Sequence, residues 1–251
     1  MANHETPSAI LARSGLVPGR IVKRYKRFLA DVELEDGSLV TAHSTNTGTM
    51  ATCWEPGDPV LLEPSANPKR KLPYTWLACQ RGGTWIGVDT GIPNKVVAEA
   101  ARRDCLPGLP GLREVRTEVR YGSERSRIDV WARDAGGREL FIEVKNTTLR
   151  MGEWICFPDA VTERGLKHLR ELQGMVREGH RAALAFFVHR GDGARFDAAR
   201  SIDPAYAAEL DRAAEAGVGI LPLRVRMEVR QEKDWSLAWH LDGLLPWVRL
   251  D

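Results

Sequence analysis

The sequence predicts a small β-barrel followed by a mixed α/β unit whose sheet is covered by helices. Two observations carry this. From about Gly19 to Val88 the pattern is strand only, in short runs separated by turn signals. From about residue 92 the apolar spacing becomes helical, and helices then alternate with strands. The switch divides the chain into domains at 1–88 and 89–251.

In the first part, residues 1–14 read as a loose start. "RIVKRYKRFLADVEL" alternates imperfectly as one strand and ends at the turn "EDGS". "LVTAHS" follows, then the turn "NTG", and "GDPVLLEP", "TWLACQ" and "TWIGVDT" complete the set. About five strands in roughly seventy residues fit an OB-like barrel. In the second part, "IPNKVVAEAARRD" is a helix with Pro93 or Asn94 near its start, and "CLPGLPGL" is a connector. Strands are expected at "EVRTEVRYG", "SRIDVWA" and "RELFIEVKN". Leu166, Leu169, Leu172, Met175 and Val176 recur at helical spacing within about 159–178. "RAALAFFVH" is apolar throughout, as a strand buried on both faces should be. A helix at "DPAYAAELDRAAEAG", stopped by Gly217, and a strand at "VGILPLRVRMEV" finish the order αβββαβαβ.

Composition bounds the function. Of 251 residues, 43% are hydrophobic and 28% charged, which suits a globular core, and the net charge of +2 implies no polyanion partner by itself. The four cysteines form no C-x-x-C pair or zinc spacing, so reduced, buried thiols are expected. There is no signal-peptide pattern and no apolar run approaching the roughly 18–20 residues that span a bilayer. The expectation is a cytoplasmic protein with no membrane partner. No sugar-phosphate or nucleotide-binding loop is present, which argues against a sugar-metabolic enzyme.

Chemistry is concentrated in "SRIDVWARDAGGRELFIEVK". A three-residue loop, Ala135-Gly136-Gly137, sets Asp134 opposite Arg138, Trp131 opposite Phe141 and Asp129 opposite Glu143. In that register Ile128 and Val130 share a face with Ile142 and Val144, while Asp129, Glu143 and Lys145 point the other way. Two opposed carboxylates repel, and burial adds a desolvation cost. A divalent cation would offset both, since Mg²⁺ is typically held by one or two carboxylates with water and phosphate oxygens. Lys145 would then orient or deprotonate an attacking water, or neutralise phosphate charge. The set suits phosphodiester hydrolysis.

Further strings extend the pattern: "RYKRFLADV", "NTG-x-M", "NPKRKLPYTW", "V-x-YG-x-ERSRID", "IEVKN-x-T" and "FPDAVTERG-x-KHLREL". Across nearly its whole length the chain resembles the sugar fermentation stimulation protein A family, and its D…E-x-K order resembles the PD-(D/E)xK nucleases. The resemblance implies an OB-type domain joined to a nuclease-like domain, DNA binding and a link to sugar utilisation. It implies metal ligation by Asp129 and Glu143, with Mg²⁺ or Mn²⁺, and a catalytic Lys145. Ile128 stands where the usual Pro-Asp pair has proline. Some such enzymes add a first-helix glutamate. Glu99 is the candidate here, or else an ordinary exposed residue.

Basic residues suggest where a nucleic acid lies. Arg20, Lys23, Arg24, Lys26 and Arg27 cluster around Tyr25, with no acid among them, as a single-strand groove on a barrel requires. Lys69, Arg70 and Lys71 form a second cluster before Tyr74 and Trp76. Arg127 is placed to touch the scissile phosphate or to pair with Asp129 or Glu118. Arg164, His168 and Glu171 share a helix face that either enters the cleft or is solvated. The expected function is metal-dependent DNA cleavage, on single strands or duplex, with RNA as an open alternative substrate. The rival is a non-catalytic DNA-binding regulator linked to sugar (maltose) metabolism. A homodimer is the default assembly.

Overall fold

The computed structural model describes residues 8–122 and 126–250. Its first strand, β1 (Leu11–Tyr25), belongs to both halves of the molecule. β2 (Leu29–Leu34), β3 (Leu39–His43), β4 (Pro59–Pro64), β5 (Tyr74–Arg81) and β6 (Thr84–Gly87) follow. β1 pairs with β2 and β4, β2 with β3, β3 with β5 in parallel, and β4 with β5. The circuit β1-β2-β3-β5-β4-β1 is closed, so the expected OB-like barrel forms. Ile21, Val32, Leu62 and Trp76 fill its interior.

Two strand expectations need correction. "RIVKRYKRFLADVEL" is two strands, because Lys26 and Arg27 take positive φ (51° and 66°) and reverse the chain into β2. The start is not loose from Ile10 onward, since Leu11–Leu16 pair with β15 (Trp235–Leu244), a strand not anticipated from the sequence.

The second part runs α1 (Ile92–Arg102), β7 (Leu112–Tyr121), β8 (Ser126–Asp134), β9 (Glu139–Thr147), β10 (Leu149–Met151), β11 (Trp154–Phe157), α2 (Glu163–Arg177), β12 (Arg181–Val188), β13 (Arg195–Ala198), α3 (Pro204–Glu215) and β14 (Gly219–Gln231). Apart from the short β10, β11 and β13, which pair among themselves, this is the expected order. β12 is buried along nearly its whole length, parallel to β9 on one side and β14 on the other. β14 meets β15, and β15 meets β1, so the barrel and the mixed sheet share one strand path.

Local chemistry sets the helices. α2 begins at Glu163, later than the periodicity suggested, because Thr162 caps it by accepting from the Gly165 N–H at 3.0 Å. The Asp203 carboxylate caps α3 through the Tyr206 N–H (2.9 Å) and also accepts from the Thr162 N–H (2.9 Å), which ties the two helix starts together. Gly165 lies at their contact, where a Cβ would stand 2.9 Å from the Tyr206 ring. α1 covers one core with Val96, Val97, Ala100, Val130, Ile142 and Val144, and α2 and α3 cover another with Ile128, Leu169, Leu172 and Phe186.

The two halves are also locked by side chains. Arg190, 4% exposed, donates from Nη1 to the carbonyls of Thr52 (3.1 Å) and Thr148 (2.7 Å), while Asp192 holds the rest of its guanidinium. Asp159, ahead of α2, accepts from the Thr49 N–H (2.7 Å) and hydroxyl (3.0 Å) in the "NTG" loop.

Candidate active site

The β8–β9 hairpin has the register read from its loop. The Asp134 N–H donates to the Arg138 carbonyl (3.0 Å), and Trp131 faces Phe141. The ladder ends at Val130↔Ile142. Beyond it β9 stays paired with β12, while β8 stays paired with β7 and diverges. A two-stranded ribbon without further neighbours is free to twist more than a sheet does. Val130 therefore packs beneath α1, but Ile128 packs beneath α2. Ile128 and Val130, expected on one face with Ile142 and Val144, therefore belong to different cores.

Asp129 stands at the fork. Its Oδ2 accepts from the Val144 N–H at 2.7 Å, replacing the lost ladder bond, and its Oδ1 accepts from Asn94 Nδ2 at 2.8 Å. Burial and the nearby Glu143 charge raise its carboxyl to about 6 despite these donors. Glu143, 3% exposed, lies on the α2 side. Its Oε1 accepts from Lys145 Nζ at 2.7 Å and contacts His168 Nδ1. Arg164 Nε lies 3.4 Å from His168 Nε2 and Lys145 Nζ lies 3.1 Å from His168 Nδ1, so the imidazole is held between two cations and the Glu143 carboxylate. Burial pushes the Glu143 carboxyl up, but the His168 bond and the Lys145 charge outweigh it and leave it below its ordinary range. Glu143 Oε2 is buried and has no partner.

The arrangement fits a hard cation. One Glu143 oxygen is contacted by Lys145 and His168, the other is buried and without a partner, and the partly buried Asp129 carboxylate is near enough to feel the Glu143 charge. Among the described residues no group of three or more His, Cys, Asp and Glu side chains forms a metal cluster. Two carboxylates with water are what Mg²⁺ commonly uses.

Other expected site residues are placed as follows. Glu99 is in ion pairs with Arg102 and Arg103, and no contact joins it to Asp129. The α1 residue that reaches Asp129 is Asn94, which the sequence marked only as a helix start. Arg127 is exposed opposite Arg120 and pairs with neither Asp129 nor Glu118. His168 and Glu171 are buried, so their helix face is not a solvated one.

The barrel cluster is partly structural. Arg24 donates to the carbonyls of Arg27, Asn46 and Gly48. Arg20 donates to the Gly57 carbonyl, and Lys23 lies 3.4 Å from Asp31 and 5.3 Å from the Tyr25 ring centre. Tyr25 donates to Asp31, so an acid from β2 enters the cluster. Lys26 and Arg27 are exposed, as are Lys69 and Lys71, whereas Arg70 is held by Thr75 and His43. Cys53, Cys79 and Cys156 are buried as expected, but Cys105 is exposed.

The raised Asp129 carboxyl predicts a pH-dependent stability. Its unfolded value is near 3.9, so the folded state favours the protonated acid. No penalty is present below that value, and the full penalty is reached once pH exceeds about 6. In EDTA, Asp129→Asn should therefore gain roughly 1–3 kcal/mol over the natural chain at pH 7 and little at pH 4, by urea denaturation. A gain that is equal at both pH values would contradict the assignment.

Fold and site together define a barrel-and-sheet protein with a carboxylate pair at a strand fork. The chain belongs to the sugar fermentation stimulation protein family. "SfsA N-terminal OB domain" describes residues 22–88 and "Sugar fermentation stimulation protein RE domain" residues 91–231. A sugar fermentation stimulation protein homolog of Geobacter metallireducens is 51% identical over 209 residues, covering 83% of this chain and 90% of the relative. One from Rhodospirillum rubrum is 50% identical over 216 residues, covering 82% and 88%. The structure of Pyrococcus furiosus SfsA in complex with Ca²⁺ superposes with a TM-score of 0.81 at 28% identity, covering 97% of this chain and all of that one. No helix among the described residues is long and apolar enough to cross a membrane.

Proposed function

We propose that this protein binds DNA and hydrolyses its phosphodiester bonds with a divalent cation, Mg²⁺ or Mn²⁺, at the β8–β9 fork. In this reading residues 1–88 hold the strand and residues 89–251 carry the chemistry. The observation that supports it most is the state of Glu143, whose Oε1 is contacted by Lys145 and His168 while its buried Oε2 has no partner and its charge raises the carboxyl of Asp129. Ca²⁺ in the Pyrococcus relative is consistent with a hard-cation site, because Ca²⁺ and Mg²⁺ share oxygen ligands.

Asp129 and Glu143 hold the ion. When bound, it polarises a phosphoryl oxygen and lowers the pKa of a coordinated water. The Val144 N–H and Asn94 fix the Asp129 rotamer, and His168 fixes that of Glu143. Lys145 Nζ, held at Glu143 Oε1, orients the attacking water and neutralises charge on the phosphate. Arg164 is exposed at the same face and contacts His168 Nε2 through its Nε. Lys26, Arg27, Lys69 and Lys71 are the exposed cations left to meet backbone phosphates.

Purified protein incubated with plasmid, single-stranded DNA or RNA should cleave DNA with Mg²⁺ or Mn²⁺ and not with EDTA. DNA retardation without cleavage under any condition would leave a non-catalytic binder, and cleavage of RNA alone would change the substrate. Removing Lys26, Arg27 and Lys71 together should lower the slope of log affinity against log salt by roughly 2, at about 0.7–0.9 per phosphate contact. An unchanged slope would place the contact elsewhere.

A further inference from the structure

The "NTG" loop after β3 orients its peptides in two ways. The carbonyls of Asn46 and Gly48 turn to Arg24, whose Nη2 donates to them at 2.7 and 3.0 Å. The N–H groups of Thr49 and Met50 turn to Asp159 instead, at 2.7 and 3.5 Å from its Oδ2, and the Thr49 hydroxyl joins them at 3.0 Å. Met50 has φ of 52°, a left-handed value that lets successive N–H groups converge. A Cβ on Gly48 would stand 2.5 Å from Asp159 Oδ2, so glycine is what lets an acid oxygen in.

Converging backbone N–H groups form an anion-binding concavity, and backbone N–H and threonine hydroxyl groups are ordinary partners of nucleic-acid phosphates. Here a carboxylate of the chain itself fills the concavity. Thr49 is exposed, so solvent reaches the contact. The segment that carries Asp159 is lightly held, since Ala160 is exposed and Val161 is 71% exposed. Arg24 Nε is buried and has no partner among the described residues. Burial pulls the Arg24 guanidinium below its ordinary value and the Asp159 charge opposes this, so the cation lies in the field of the same anion.

The loop also touches what leads into the fork. Thr45 Oγ1 accepts from the Thr90 N–H (2.9 Å) just ahead of α1, whose Asn94 reaches Asp129. Asp159 lies just ahead of α2, whose His168 reaches Glu143. Arg24 Nη2 also bonds the Arg27 carbonyl (2.7 Å), beside the exposed Lys26 and Arg27 side chains. The concavity therefore links the exposed cations of the barrel to the carboxylate pair. We propose that the Thr49–Met50 N–H groups and the Thr49 hydroxyl, with Arg24 behind them, seat one phosphate group of the bound strand, and that Asp159 occupies this seat until the strand displaces it. A phosphodiester carries the same single charge as a carboxylate and presents it on two free oxygens, so it can take over the same donors. The inference rests on the DNA-binding reading and adds to it a phosphate subsite with a built-in competitor.

The test is fluorescence anisotropy of a labelled single-stranded oligonucleotide titrated with the full chain in EDTA. Asp159→Ala should bind it several-fold tighter than the natural chain. Thr49→Val added to Asp159→Ala should take back most of that gain, because the Thr49 hydroxyl would then have only the phosphate to bond. If loss of a negative charge were the whole cause, Thr49→Val would change nothing in that background. Such a silent second substitution, or an Asp159→Ala affinity no higher than that of the natural chain, would overturn the proposal. If circular dichroism shows Asp159→Ala unfolded, Asp159→Asn, which keeps an acceptor but drops the charge, takes its place in the same two comparisons. If the oligonucleotide binds neither the natural chain nor any variant, the DNA reading fails instead, and inorganic phosphate decides. Asp159→Ala should then broaden the ³¹P line of phosphate and the double variant should not; equal broadening by both, or none by either, would overturn the seat.

Discussion

Lys145→Ala is expected to reduce metal-dependent cleavage by roughly 10²–10⁴-fold, the range for removing a positioned proton-transfer or charge-stabilising group. The side chain is 14% exposed and its amine is 2.7 Å from Glu143 Oε1, so it is delivered to the fork rather than dispersed in solvent. Removing it leaves His168 on Glu143 and both carboxylates in place. Retardation of DNA on a gel should therefore persist, because the exposed cations of the barrel are untouched. If cleavage and retardation vanish together, Lys145 holds the fold or the strand and not the water. Unchanged cleavage would remove it from the mechanism.

Arg190→Ala is expected to cost about 3–5 kcal/mol of stability, the usual result of breaking a buried ion pair from one side. The guanidinium bonds Asp192, and through Nη1 it satisfies two carbonyls and the Thr52 hydroxyl on opposite sides of the junction. Without it the Thr148 carbonyl loses this donor and the Asp192 charge keeps only Arg150, 3.3 Å away. Arg190→Lys should recover only part of the loss, since an ammonium cannot present the same fork of donors. Urea denaturation measures both, and a loss under about 1 kcal/mol for the alanine variant would show that the junction does not depend on this residue.

The parts of this fold legible in the sequence are those set by local chemistry. The Ala135-Gly136-Gly137 loop dictated the hairpin register, and the structure has it. Helix existence followed from apolar spacing, and the buried strand β12 from its unbroken apolar run. What escaped depends on partners distant in sequence. β15 is recognisable only once β1 and β14 flank it. The twist that sends Ile128 to a different core from Val130 arises because β8 leaves β9, which no local pattern records. Glu171 stood on a helix face that its spacing left open between cleft and solvent, and the β7 turn that lies over α2 buries it. Asn94 carries no chemical signal by itself. It matters because α1 is laid against the fork, where a side-chain amide can reach Asp129.

Anomalous scattering from crystals grown with Mn²⁺ tests the central claim most directly. The account predicts a peak about 2.1 Å from a carboxylate oxygen of Asp129 and from Glu143 Oε2, at the octahedral distance for a small divalent cation. Manganese found only elsewhere, with Glu143 Oε2 still bare and Asp129 still bonded to Asn94 and Val144 alone, would contradict it.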